Sequence, residues 1–385
     1  MMDRRKRIAF VRPKAWPLAN RIVDGVIKEQ FPDHEVDVID VSALVRKRPD
    51  IILVNSIATA LLYGIDIALR RKKFRLAFWR TPYIFRQIRR LVRSQIATGG
   101  YFFSFQMQSL FDGSSPGIPH FIYTDHTHLE NLNYAANNKN LYSSKWITLE
   151  KEIYRNAALT FVRSSNVRRS MVEDYGLPPD KVVLAYAGSN ANVNKVKAQD
   201  SAYAQPEILF VGLDWQRKGG PDLVEAFQLV RKKCPEARLT IIGARPEIHL
   251  PNCEVIGPVK PEELDQYYQR ASVFCLPTHL EPFGIVFVEA MTAHLPIVAT
   301  RVGAIPDFVE NGKNGWLVSP GDVQGIADAL LKLLKDPEIC HAFGEQSFQL
   351  TKERYSWKAV GDRFREHIVH VLAKSGEQRS DDRAI

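Results

Sequence analysis

Glu281 and Glu289 stand eight residues apart around Pro282-Phe283-Gly284 and the start of an apolar stretch, Ile285-Val286-Phe287-Val288. Carboxylates so placed can accept hydrogen bonds from sugar hydroxyls. The exposed amides of a helix that starts beside Gly284, where no side chain intrudes, can receive a diphosphate. Upstream, Val211-Gly212 runs into Leu213-Asp214-Trp215-Gln216-Arg217-Lys218-Gly219-Gly220. Two cations beside two glycines suit a loop that clamps phosphate oxygens. Ile242-Gly243 and Arg301-Val302-Gly303 set further glycines near strand ends. Paired glutamates near a helix start are more often a solvated face. Cations, an anion-binding helix start and diol-binding carboxylates together describe a nucleotide-diphosphate-sugar site.

Other constellations are weaker. Asp125 and His126 follow the apolar run Phe121-Ile122-Tyr123-Thr124, and His126 with His128 makes an H-x-H without an evident third ligand. His367 and His370 fit a solvated helix face. Gly113-Ser114-Ser115-Pro116-Gly117 matches G-x-S-x-G literally, but Pro116 and Pro119 precede a strand, where a nucleophile elbow needs a strand before and a helix after. There is no Walker A, no G-x-G-x-x-G and no D-x-D. The four cysteines, Cys234, Cys253, Cys275 and Cys340, have no C-x-x-C spacing, so neither a disulfide framework nor a zinc knuckle is expected and a reducing, cytoplasmic setting is.

Positioning these residues requires repeated βα units. Short Val/Ile/Phe-rich runs alternate with helical periodicity along the 385 residues, the mark of parallel sheets in an α/β protein. In the first half the spacing predicts strands over 8–11, 35–39, 51–54, 121–124, 159–162 and 182–186; in the second, over 208–212, 238–243, 271–277 and 297–300. The organisation expected is a first domain over 1–190, a polar linker over 191–205, a second domain over 206–356, a helix over about 357–373 that packs back on the first domain, and a disordered tail over 374–385. Two doubly wound sheets are expected to face each other, with ligands beyond the carboxyl ends of their strands. The apolar run at the N-terminus is too short for a signal peptide, and the stretch over 51–65 too short to span a bilayer.

Charge is concentrated. The formal net charge is +9, yet residues 70–93 alone hold ten Lys and Arg and no acid, interleaved with Phe74, Phe78, Trp79, Tyr83 and Phe85. Such a mixture suits the headgroup region of an anionic bilayer. Equally, the aromatics can pack in the core while the arginines face water or an anionic acceptor.

The second half resembles the donor domain of the retaining GT-B glycosyltransferases of glycosyltransferase family 4. The resemblance rests on Phe210-Val211-Gly212, Arg217-Lys218-Gly219, the two glutamates around Pro282-Phe283-Gly284, and Val302-Gly303-Ala304-Ile305-Pro306-Asp307 leading to Asn311-Gly312-Lys313-Asn314-Gly315. It implies a GT-B fold, with Glu281 against the donor sugar, Glu289 on the ribose diol, Lys218 with Arg217 on the diphosphate, and His126 at the acceptor side of the donor sugar. Gly284, Phe283, Ile285, Gly212, Gly243 and Gly257 join the expected donor-binding set, and Asp125 and Arg12 the acceptor side. Where the family usually carries arginine, glycine and glutamate, this chain has Leu213, His294 and Asp307; the glycine pair after the first strand is replaced by Arg12-Pro13-Lys14.

The expected function is a hexosyltransferase of EC 2.4 type, moving sugar from a nucleoside diphosphate to a glycan, lipid-linked or small-molecule acceptor. Retention of configuration is implied by the resemblance. No cofactor or metal is expected, because cations and a helix N-terminus can neutralise the leaving diphosphate, and no nucleic-acid partner is. The setting expected is cytoplasmic, with peripheral contact on the inner face of the cell membrane through residues 70–93. The alternatives are a nucleotide-sugar epimerase or phosphorylase on the same scaffold, and a basic, non-catalytic membrane or nucleic-acid adaptor.

Overall fold

The computed structural model describes residues 7–14, 19–132, 144–189, 203 and 205–381, so nearly all of the 191–205 linker lies outside the described residues. The chain divides into two compact units, 1–185 with 361–385, and 186–360.

In the first unit six parallel strands, β1 (Arg7–Arg12), β2 (Glu35–Asp40), β3 (Phe103–Met107), β4 (His120–Thr124), β5 (Leu159–Val162) and β6 (Val182–Leu184), are ordered β2-β1-β3-β4-β5-β6. Ile8, Ala9, Phe10 and Val11 are wholly buried, because a strand covered on both faces by helices has no wet side. Helices α1 (Ala19–Gln30), α2 (Val41–Arg46), α3 (Pro49–Ala68), α4 (Phe74–Phe78), α5 (Pro82–Gly99), α6 (His128–Leu132), α7 (Ser144–Asn156) and α8 (Ser165–Glu173) complete the layers. The capping chemistry of α5 is explicit. The Thr81 hydroxyl accepts from the Ile84 amide at 3.1 Å, Pro82 opens the first turn and Gly100 closes it in a left-handed conformation. Its inward face is Ile84, Phe85, Ile88, Val92 and Ile96.

The second unit repeats the plan with β7 (Glu207–Gly212), β8 (Arg238–Gly243), β9 (Cys253–Gly257), β10 (Val273–Leu276), β11 (Ile297–Thr300) and β12 (Gly315–Val318), ordered β12-β11-β10-β7-β8-β9. Its helices are α9 (Gly220–Lys233), α10 (Pro261–Arg270), α11 (Ile285–Thr292), α12 (Ile305–Phe308), α13 (Val323–Leu334) and α14 (Pro337–Arg354). The final helix, α15 (Trp357–Asp381), begins in this unit and ends in the first.

Three expectations are corrected. The strand expected over 51–54 is part of α3, with Pro49 and Asp50 in its first turn. The strand beside β1 is instead β3, which went unread because buried Ser104 and Gln106 interrupt its apolar pattern. The polar tail expected to be disordered from residue 374 continues helical to Asp381. The two units divide after Ala185 and after Val360, beside the expected bounds of 190 and 356, and Phe364 of α15 packs its ring on Phe105, Tyr123 and Phe161 of the first unit at 5.2, 5.0 and 4.9 Å.

Candidate functional site

In the second sheet the chain order reverses between β7 and β10, and ligands of open α/β sheets collect beyond the strand ends at such a point. The loop after β7 carries Arg217 and Lys218; the loop after β10 carries Glu281. Gly219 lets these two loops meet: its φ is +72°, and a Cβ there would lie 1.9 Å from the Pro277 carbonyl oxygen. Across this contact the Lys218 ammonium pairs with Glu281, both nearly buried. Arg217 donates to the Leu280 carbonyl at 2.7 Å and pairs with Asp214 at 3.2 Å, so it staples one loop to the other. Thr278 adds to the staple, its hydroxyl donating to the carbonyls of Arg217 and Leu280 at 3.0 and 2.9 Å.

Gly284, at φ +90°, caps α11, and a Cβ there would press on Phe287 and Glu281. One and a half turns on, Glu289 accepts from the Tyr268 hydroxyl at 3.2 Å. Burial pushes the Glu289 carboxyl up to about 7, with Asp265 adding to the rise and the Tyr268 hydrogen bond opposing it. Gly212, Gly243 and Gly257 end the adjacent strands β7, β8 and β9. A cavity of about 350 Å³ opens here, its walls including Gly212, Arg217, Lys218, Gly243, Pro258 and Val259. That is within the size range of small-ligand sites, and a wall of apolar residues and glycines with only a few polar groups is what such sites present. Val286 of α11 also lines it, so the helix start reaches the cavity. Phe283 instead turns inward and packs edge-on to Phe308 at 5.2 Å, and Ile285 opens α11.

Tyr268 was not among the expected site residues. Pro258 and Val259 directly precede the start of α10, where the Glu263 carboxylate accepts from the Lys260 amide at 3.1 Å.

In the first unit Asp125 and His126 follow β4. His126 Nδ1 lies 2.7 Å from Asp125, whose other oxygen is 3.5 Å from Arg163. Burial would raise the Asp125 carboxyl, but the Arg163 charge and the His126 ring outweigh it and hold it well below the usual carboxylate range. Burial would lower His126, and the Asp125 hydrogen bond and charge outweigh that too, so it is raised. His128 is committed inward instead, its Nδ1 2.7 Å from Glu150, which also accepts from Tyr154 at 2.8 Å and from Tyr175. No group of three possible metal ligands occurs among the described residues. Ser115 lies between β3 and β4 with no helix after it, so the G-x-S-x-G match is not an elbow. Arg12 pairs loosely with Asp40 at 3.7 Å. Beside it, beyond the ends of β1 and β2, lies a cavity of about 550 Å³ whose walls include Lys14, Ser42, Lys73, Arg75, Trp79 and Arg80.

The family model described as glycosyl transferases group 1 matches residues 194–350, and that of glycosyltransferase family 4 matches 33–192. Among curated proteins, the sulfoquinovosyl transferase SQD2 of Arabidopsis thaliana is 28% identical over 58% of this chain and 48% of its own length. The glycogen synthase of Mycobacterium tuberculosis is 27% identical over 61% and 59%. The D-inositol 3-phosphate glycosyltransferase of Corynebacterium urealyticum is 30% identical over 54% and 56%. The chain thus spans about half to three fifths of the length of the curated relatives it matches. Among solved structures, Alr3699/HepE of Anabaena in complex with UDP superposes with a TM-score of 0.62 at 14% identity, covering 94% of this chain and 100% of that one. The sucrose-phosphate synthase of Thermosynechococcus elongatus does so with 0.59 at 20%, covering 76% and 79%. These structures share the GT-B fold, two Rossmann-like α/β domains. The chain belongs to the group 1 glycosyl transferases, of the glycosyltransferase family 4 type.

Proposed function

We propose that the protein transfers a sugar from a nucleoside diphosphate to an acceptor, with retention of anomeric configuration. The observation that carries this reading is the meeting of Lys218 and Glu281 at the reversal point of the second sheet, beside a 350 Å³ cavity and the start of α11. In this scheme the diphosphate lies against Lys218, Arg217 and the first amides of α11, which neutralise it as it departs. Glu289 accepts the ribose diol, Pro258 and Val259 wall the base, and Glu281 faces the donor sugar. That solved relatives of this fold were captured with UDP and UDP-glucose supports a nucleotide-sugar donor.

The acceptor side is proposed to be the first unit. His126, with its Asp125 and Arg163 partners, supplies a polar group beyond β4, and the cationic cavity around Trp79 suits an acceptor that carries negative charge. Transfer is proposed to need no metal, since cations stand where charge develops, and a reducing, cytoplasmic setting is supported by four free cysteines among the described residues.

The test is a thermal-shift panel of UDP, GDP, ADP and their sugar conjugates, followed by assay of free nucleotide with and without candidate acceptors. One nucleotide class is expected to raise the melting temperature. Release is expected only with acceptor and to be unchanged by EDTA. Conversion of the sugar without acceptor would favour an epimerase, and loss of activity to EDTA with rescue by manganese would overturn the metal-free scheme. No shift with any nucleotide would overturn the donor site and favour the adaptor reading.

A further inference from the structure

Helix α3 is built the wrong way round for a helix that faces water. Its inward side is polar: Asn55 donates to the Phe78 carbonyl at 2.7 Å and accepts from the Thr81 hydroxyl, Thr59 is buried, and the Tyr63 hydroxyl donates to the Arg80 carbonyl at 2.8 Å. These bonds fix the rotation of the helix. Its outward side is apolar, with Leu53 65%, Leu61 82% and Ile65 78% exposed and Ile57, Leu62 and Leu69 more than half exposed. A stripe of this kind on a water-facing surface marks a contact site.

The surroundings of the stripe are cationic. Arg70, Arg71, Lys73 and Arg75 follow its end and are exposed, alongside Phe74 and Leu76. No acid occurs between Asp66 and Asp112. Asp66 itself is paired with Lys72 at 2.6 Å. By length and composition α3 could cross a membrane, but the strands before and after it, β2 and β3, both pair with β1 in one sheet, so the chain enters and leaves on the same side.

We propose that α3 and the 70–75 turn form a docking surface for an anionic lipid bilayer, with the Leu53–Ile57–Leu61–Ile65 stripe sunk among the acyl chains and Arg70, Arg71, Lys73 and Arg75 on the headgroups. A bilayer supplies both halves of what this face displays, an apolar interior and a negative rim. A second copy supplies only the first, because pairing two such faces would bring two acid-free basic rims together. Within the rest of the basic stretch, Arg89 and Arg93 turn to buried Asp112 at 3.1 and 3.6 Å, while Phe85 and Ile88 join the core. The proposal does not depend on the proposed transfer reaction.

The experiment is co-sedimentation of the whole chain with phosphatidylcholine vesicles, with and without about a quarter phosphatidylglycerol. Anionic vesicles are expected to bind the protein at least about tenfold more tightly than neutral ones. Leu61→Gln with Ile65→Gln is expected to lose about tenfold or more, and Arg70→Gln with Arg71→Gln to lose several-fold and show a shallower salt dependence. Both pairs are at exposed positions, and each variant must keep the wild-type melting temperature and nucleotide-induced shift. Wild-type protein that stays in the supernatant, or a Leu61/Ile65 variant that binds like wild type, would overturn the proposal. So would a wild-type dimer that this variant dissolves without any vesicle binding, which would assign the face to a second copy.

Discussion

Lys218 and Glu281 are each other's counter-ion inside the second unit. A buried ammonium without a partner is costly, so the pair holds Lys218 in place until a diphosphate competes for it. Glu281→Gln removes the competitor and leaves an acceptor oxygen for the ammonium. It is expected to tighten binding of the nucleoside diphosphate several-fold, read by calorimetry, while slowing transfer by about a hundredfold or more. Weaker nucleotide binding with normal turnover would contradict the assignment. Glu289 offers a separate handle. Its carboxyl is raised from 4.5 to about 7 in the fold, so the folded chain holds that proton more tightly than the unfolded chain. The stability it contributes is therefore whole below pH 4.5 and lost as pH rises through about 7. Glu289→Gln, which cannot ionise, is expected to melt above wild type at pH 8 and level with it near pH 4.5. Its nucleotide affinity at pH 8 should nonetheless fall about tenfold, because a neutral amide replaces a charged acceptor. A melting difference that ignores pH would show that burial of Glu289 is not its cause.

At the level of elements, the turn between α11 and β11 carries His294 where related sequences are expected to have glycine. Its φ is +58°, a left-handed conformation that costs a side-chain-bearing residue about 1–2 kcal/mol. The ring offsets this by pairing with Glu345 at 2.6 Å and stacking on Phe348 at 3.9 Å. His294→Gly, which loses the ring but also the strain, is expected to unfold in urea within about 1 kcal/mol of wild type. His294→Ala keeps the strain without the ring and should lose about 1–2 kcal/mol; an alanine variant as stable as wild type would mean the ring contributes nothing. The same balance of local and distant causes decides what the sequence showed. Buried strands such as β1, β7 and β8 were legible because doubly covered strands are unbroken apolar runs. Residues 51–54 looked like one of them, since four apolar residues in a row show no period, and their outward face became evident only once Asn55, Thr59 and Tyr63 had distant partners. β3 was hidden for the converse reason: Gln106 is buried with its amide on the Phe111 carbonyl at 2.7 Å, and Ser104 with its hydroxyl on His120 at 2.8 Å. Lys218 and Glu281 could be picked out because each sits beside glycines just past a strand. The role of Tyr268 depends on how α10 packs, and the cavity around Trp79 draws on several separate stretches, neither of which local pattern records.

Across the whole molecule, the basic charge concentrated in residues 70–93 is divided by the fold into two uses. Arg89 and Arg93 neutralise a buried aspartate, while residues 70–75 gather beside an apolar helix. The net charge of +9 is thus a poor guide to partners, and the placement of a handful of side chains a better one. The last helix has a different consequence. Phe364 completes an aromatic cluster whose other members, Phe105, Tyr123 and Phe161, are made some two hundred residues earlier. On a ribosome adding about 5–20 residues per second, the first unit waits roughly ten to forty seconds with that slot unfilled while the whole second unit is synthesised. The first domain to be started is therefore the last to be finished, and in that interval its exposed aromatic rings are what a chaperone would meet.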